Sequence, residues 1–65
     1  SRNDRQLGRS ERIELQELLA SKGYEPGPAD GIIGANTRKA VRAFQQSQGQ
    51  PADGYPSYEL LQQLR

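Results

Sequence analysis

The 65-residue chain contains no cysteine and no histidine. These absences exclude disulfides, thiol nucleophiles, zinc sites of the usual kind and any Ser-His-Asp triad. Methionine and tryptophan are also missing, and the aromatic complement is three Tyr and one Phe. With so few large side chains, the single Phe, Phe44, is the expected core anchor. No apolar run approaches the roughly 20 residues of a membrane helix and no signal-like segment opens the chain, so membrane insertion is not expected. A chain that opens on Ser and has no Met reads as an excerpt of a longer protein, with any targeting signal outside it.

Charge of one sign is also scarce: 9 Lys and Arg face 8 Asp and Glu, a formal charge of +1. That leaves no global field for nucleic acid or an anionic membrane. The charge is uneven along the chain, however. Ser10 to Ile33 is acidic, whereas Gly34 to Gln48 carries Arg38, Lys39 and Arg42 with no acid. That block reads first as a solvated helix face and second as a local site for carboxylates. Only 32% of residues are apolar, which at this length permits one small domain, marginally stable, whose function must sit on its surface.

What is present predicts an all-α, small three-helix bundle. Residues 1–9 are polar, with one Leu and one Gly, and read as a linker or flexible arm; residues 10–65 form the domain. A first helix, capped by Gly8 or Ser10, carries Leu15, Leu18 and Leu19 on one stripe and stops at Gly23. Tyr24 to Gly34 holds two prolines and three further glycines, so it is a structured loop, pinned by burial of Ile32 or Ile33. A second helix places Thr37, Ala40, Val41, Phe44 and Gln48 at helical spacing and ends at Gly49. After the turn Gln50 to Pro56, Ser57 to Leu64 reads as a short helix with Leu60, Leu61 and Leu64 on one face; Ser57 and Pro56 are both good start signals.

Two stretches share one design. Leu15-Gln16, Gly23 and Asp30-Gly31 follow the same order as Phe44-Gln45, Gly49 and Asp53-Gly54, with different spacings. In each, an Asp carboxylate can accept N–H groups of its own turn while the Gly supplies positive φ. Gln16 and Gln45 can brace the two loops through their amides. Gln16, Asp30, Phe44, Gln45, Asp53 and Gly54 are therefore read as structural.

The turns explain Asp30 and Asp53 without catalysis, and so small a domain offers no deep cleft to raise a carboxyl pKa. Near Asp30 stand Pro28, Ala29, Ile32 and Ile33, which lack the oxygen ligands that calcium requires. No metal, cofactor or catalytic residue is expected. Tyr24, Tyr55 and Tyr58 all flank the loops; each singly reads as packing, but jointly they propose a site where rings stack on sugar.

The run from Asp30 to Gln45, Asp-Gly-Ile-Ile-Gly-Ala-Asn-Thr-Arg-Lys-Ala-Val-Arg-Ala-Phe-Gln, resembles the signature of the peptidoglycan-binding domain family. Leu15-Gln16, Leu19 and Gly23-Tyr24 upstream, and Pro51-Ala52-Asp53-Gly54 with Leu60-Leu61 downstream, extend the resemblance over about residues 10 to 64. The closing Ala52 to Ser57 segment is similar to domains appended to lytic murein transglycosylases. Two departures are Gln50, where the family usually has an apolar residue, and Gly8, where a Ser or Thr cap is expected. The resemblance implies a noncatalytic module in the periplasm or cell envelope. It would hold an attached murein-degrading enzyme on glycan strand or peptide stem. The implied binding residues are Tyr24, Gly31, Ile33, Gly34, Thr37, Arg38, Tyr55 and Tyr58. A competing expectation is a protein-protein docking module; nucleic-acid binding, supported only by Arg38, Lys39 and Arg42, is disfavoured by net charge and by the long first loop.

Overall fold

The computed structural model describes residues 7–65. Three helices follow in order, α1 (Arg9–Ser21), α2 (Ala35–Ser47) and α3 (Tyr58–Leu64), and no strand occurs among the described residues. The all-α expectation therefore holds. None of the helices is long and apolar enough to cross a membrane.

Each helix starts and stops for a local reason. Gly8 takes the N-cap of α1 and contributes no side chain, so only the return half of a capping box exists: Glu11 Oε1 accepts the Gly8 N–H at 2.9 Å. At the start of α3 the choice falls on Ser57, whose hydroxyl accepts the Leu60 N–H at 3.1 Å. Both long helices end in the same double clasp. The Tyr24 N–H reaches the Leu19 carbonyl and the Gly23 N–H the Ala20 carbonyl; Gln50 and Gly49 repeat this on Gln45 and Gln46. Gly23 and Gly49 stand at φ 92° and 71°, where a glycine is least costly.

The core gathers Leu15 and Leu19 from α1, Ala40, Val41 and Phe44 from α2, and Leu60, Leu61 and Leu64 from α3, with Leu7 added from upstream. Burying each of the larger side chains contributes roughly 1.5–3 kcal/mol. Leu7 corrects the arm expected over 1–9: it is 6% exposed and part of the core, and Arg9 already belongs to α1. The first six residues of that expected arm lie outside the described residues. α3, only seven residues long, is also tied to α1 by a two-pronged Arg65–Glu14 ion pair, with both contacts at 3.0 Å.

The half-repeat has a geometric logic. Seven residues separate Gln16 from Gly23 but four separate Gln45 from Gly49, so α1 runs about one turn further past its glutamine. That turn advances the chain by about 4.5 Å. The loop after it is longer by the same three residues, from Gly23 to Asp30 against Gly49 to Asp53, which returns the Asp-Gly corner to its glutamine.

Candidate functional site

The loops are organised from below by the two glutamines. Gln16, 1% exposed, accepts the Gly31 N–H on Oε1 at 2.8 Å and donates from Nε2 to the Ile32 carbonyl (3.0 Å) and to Thr37 Oγ1 (3.1 Å). Thr37 passes the chain on by donating to the Pro26 carbonyl at 2.9 Å. Gln45 accepts the Gly54 N–H at 2.9 Å and donates to Asp53 Oδ1 at 2.9 Å. Each aspartate closes its own corner: Asp30 accepts from the Ile32 N–H and Asp53 from the Tyr55 N–H, both at 2.9 Å. All buried side-chain N and O atoms among the described residues have partners. Isoleucine burial does not pin the first loop, as the sequence suggested: Ile32 is 70% exposed and Ile33 half-buried. Polar bracing fixes the loop and leaves Ile32 free to face solvent.

The Tyr55 N–H, and then Gln45, hold the Asp53 carboxyl below its usual value. A depressed folded-state pKa means that ionised Asp53 stabilises the fold above the unfolded value, about 3.9. This contribution disappears as pH falls through the folded value. In denaturant unfolding at stepped pH, the stability difference between the parent and Asp53→Asn is expected to be constant above about pH 5 and to shrink below about pH 4. A difference that stays flat into strong acid would remove Asp53 from this role.

The two corners lie side by side and are framed by arginines. Arg12 Nε donates to the Gly31 carbonyl at 2.6 Å and Nη1 to the Leu7 carbonyl at 2.8 Å. A shallow groove joins Leu7 and Arg12 to Tyr55 and Pro56. Arg38 Nη1 donates to the Ile33 carbonyl at 3.3 Å, and its own backbone carbonyl abuts Gly54. Arg42 lies against Gly54, and Arg9 against Gly31. The guanidinium groups of Arg12, Arg38 and Arg42 and the aliphatic stem of Arg9 therefore lie against the two corners, to which Asp30 and Asp53 contribute the acids.

The residues expected to bind do not form one cluster. Tyr55, 46% exposed, Ile33, Gly34 and Arg38 belong to the corner face. Thr37 must be corrected: it is 2% exposed and both donates and accepts inside the fold, leaving it nothing for a ligand. Gly31 is likewise buried, its N–H taken by Gln16 and its carbonyl by Arg12. Tyr24 stands at the far end of α1, edge-on to Phe44 with ring centroids 6.1 Å apart, and donates to Ser47 Oγ at 3.2 Å. Tyr58 rests half-buried on the core beside Arg65. Sequence reasoning missed Arg9 and Arg12. They lie within an acidic stretch, and only the half-repeat, which aligns Arg9 with Arg38 as it does Gln16 with Gln45, signals a turn-framing role for Arg9. Nothing in that pattern marks Arg12.

Fold and surface together define a small helical half-repeat module with two Asp-Gly corners braced by Gln16 and Gln45. The chain belongs to the peptidoglycan-binding domain family: residues 8–64 match the family described as "Putative peptidoglycan binding domain". Crystal structures of SltB3 from Pseudomonas aeruginosa, in complex with NAG-anhNAM-pentapeptide and with NAG-NAM-pentapeptide, match the whole chain. The TM-score is 0.95 at 62% identity, over 100% of this chain and 17% of that one. The spore cortex-lytic enzyme of Bacillus cereus is 40% identical over 80% of this chain and 20% of its own. A Synechocystis relative named "Putative OxPP cycle protein OpcA" is 41% identical over 78% of this chain and 11% of its own. The chain thus spans a fifth or less of these relatives.

Proposed function

We propose that the chain is a noncatalytic attachment module that holds a murein-degrading enzyme, a lytic transglycosylase, on peptidoglycan in the cell envelope. The single observation that carries this is the corner face. Two rigid Asp-Gly turns present Ile33, Gly34 and Tyr55 between Arg9, Arg12, Arg38 and Arg42. Stem carboxylates meet guanidinium groups there through charge-assisted hydrogen bonds, and Tyr55 packs on the adjoining chain. Support comes from the family, and from the whole-chain likeness to SltB3, which was solved with sugar-pentapeptide ligands. A polymer presents many repeats, so weak affinity per site suffices once the module is tethered to its enzyme.

The test is co-sedimentation with purified sacculi. An Arg38→Ala, Tyr55→Ala double variant that remains helical is expected to lose most of its pelleted fraction. Equal pelleting with the parent would contradict this surface. One observation favours a second reading, a docking site for a partner protein or the attached catalytic domain: Ile32 is 70% exposed beside the same face. In that case Ile32→Ser abolishes partner capture and leaves sacculus binding intact.

A further inference from the structure

A groove of about 510 Å³ lies away from the corner face. It runs along the other end of α1, between the loop after that helix and the flank of α2. Tyr24 and Glu25 line one side, Asn36, Lys39, Ala40 and Ala43 the other. Asn36, Lys39, Ala40 and Ala43 recur at i, i+3, i+4 and i+7, so they form one stripe of the helix. The small side chains of the two alanines keep the floor of that stripe low and leave room above it.

We infer that this groove is a second binding site, for the N-acetylated glycan strand rather than the peptide stem; the inference rests on the wall-binding reading above. Three features carry it. First, the Tyr24 ring is fixed before any ligand arrives: it stands at 84° to Phe44, and its hydroxyl donates to Ser47, whose own hydroxyl donates to the Phe44 carbonyl at 2.7 Å. An immobilised ring gives a sugar a stacking wall at little entropic cost. Second, the rim offers an amide, an ammonium and a carboxylate in Asn36, Lys39 and Glu25, all exposed. An acetamido group with neighbouring hydroxyls needs such donors and acceptors, and Ala40 and Ala43 accommodate its methyl. Third, the charges of Lys39 and Glu25 cancel. The groove therefore suits a neutral ligand, whereas the arginine-framed corners suit an anionic one.

The two sites meet on α2: Asn36 and Lys39 of the groove stand close in sequence to Gly34 and Arg38 of the corners, so one glycan strand with its stem can touch both.

The test is amide chemical-shift mapping of the 15N-labelled chain with two probes, glycan strands stripped of stems by amidase, and free stem pentapeptide. Stem-free glycan is expected to shift Tyr24, Asn36, Lys39 and Ala43. An Asn36→Ala, Lys39→Ala double variant, both positions being exposed, is expected to weaken that binding at least fivefold. Tyr24→Phe, which keeps the ring and its packing, is expected to weaken it far less. Glycan shifts confined to Gly31–Gly34 and Gly54–Tyr55, no glycan shift at all, or unchanged glycan affinity in the double variant would each overturn the glycan site. Pentapeptide shifts at the corners would then still stand for the wall-binding reading, whereas silence of both probes and of sacculi would end both.

Discussion

Replacing Gln16 with leucine is expected to lower the melting temperature by about 15–20 °C, close to unfolding the domain at growth temperatures. The side chain is sealed in and makes three hydrogen bonds that cross from α1 to the loop and to α2. Leucine has similar volume and no polar atoms, so the buried Gly31 N–H and the Ile32 carbonyl lose their partners together. Each abandoned group costs about 1–3 kcal/mol, for a total near 3 kcal/mol after the gain from an apolar side chain. A 65-residue domain has only about 3–10 kcal/mol to lose. The same change at Gln45 is expected to cost less, because its second partner, Asp53, is exposed and water can replace the amide. Thermal melts of the two variants side by side give the comparison. Equal and small losses would show that the glutamines do not brace the loops.

Gly54→Ala is expected to cost about 2 kcal/mol, of which about 1 comes from the left-handed backbone and about 1 from crowding. Gly54 stands at φ 72°, and a Cβ there would lie 3.0 Å from Arg42 Nη1, 3.1 Å from Arg42 Cγ and 3.3 Å from the Arg38 carbonyl. The Arg42 side chain can swing aside, but the α2 backbone cannot. Gly49 provides the control: its φ is 71°, and a Cβ there meets nothing within 4 Å. Gly49→Ala should therefore lose only the conformational part, about 1 kcal/mol. Denaturant midpoints of both variants measure the difference. Gly54→Ala should also weaken wall binding by pushing Arg42 off the corner face, an effect absent at Gly49.

The fold was legible in the sequence where punctuation and periodicity agree. Gly23 and Gly49 end helices because a positive φ is cheapest there, and the Leu15, Leu18, Leu19 stripe needs no tertiary information to be seen. The half-repeat was legible as an order of residues. Its spacing became intelligible only when one extra turn of α1 proved to be matched by three extra loop residues. The candidate site was less accessible. Thr37 looks like a helix-start hydroxyl open to ligand, yet its burial depends on Gln16 and Pro26 arriving from 21 and 11 residues away. Ile32 or Ile33 reads as core, yet Ile32 faces solvent while Gln16 and Asp30 hold its backbone, and Ile33 is only half-buried. Leu7 looks like part of a tether, because one apolar residue shows no period. Arg12 holds its carbonyl, and nothing local announces that contact. The tyrosines fail for the same reason: proximity to loops in sequence says nothing about which end of α1 each ring occupies.

The most direct test of the central claim, that the braced corners recognise wall polymer, is an NMR titration of the 15N-labelled chain with soluble, stem-bearing peptidoglycan fragments. The account predicts saturable shifts of the amides from Gly31 to Gly34 together with Gly54 and Tyr55, retained in the parent and lost in the Arg38→Ala, Tyr55→Ala variant. Saturable binding that leaves those amides unmoved, or no saturation at millimolar fragment, would contradict it.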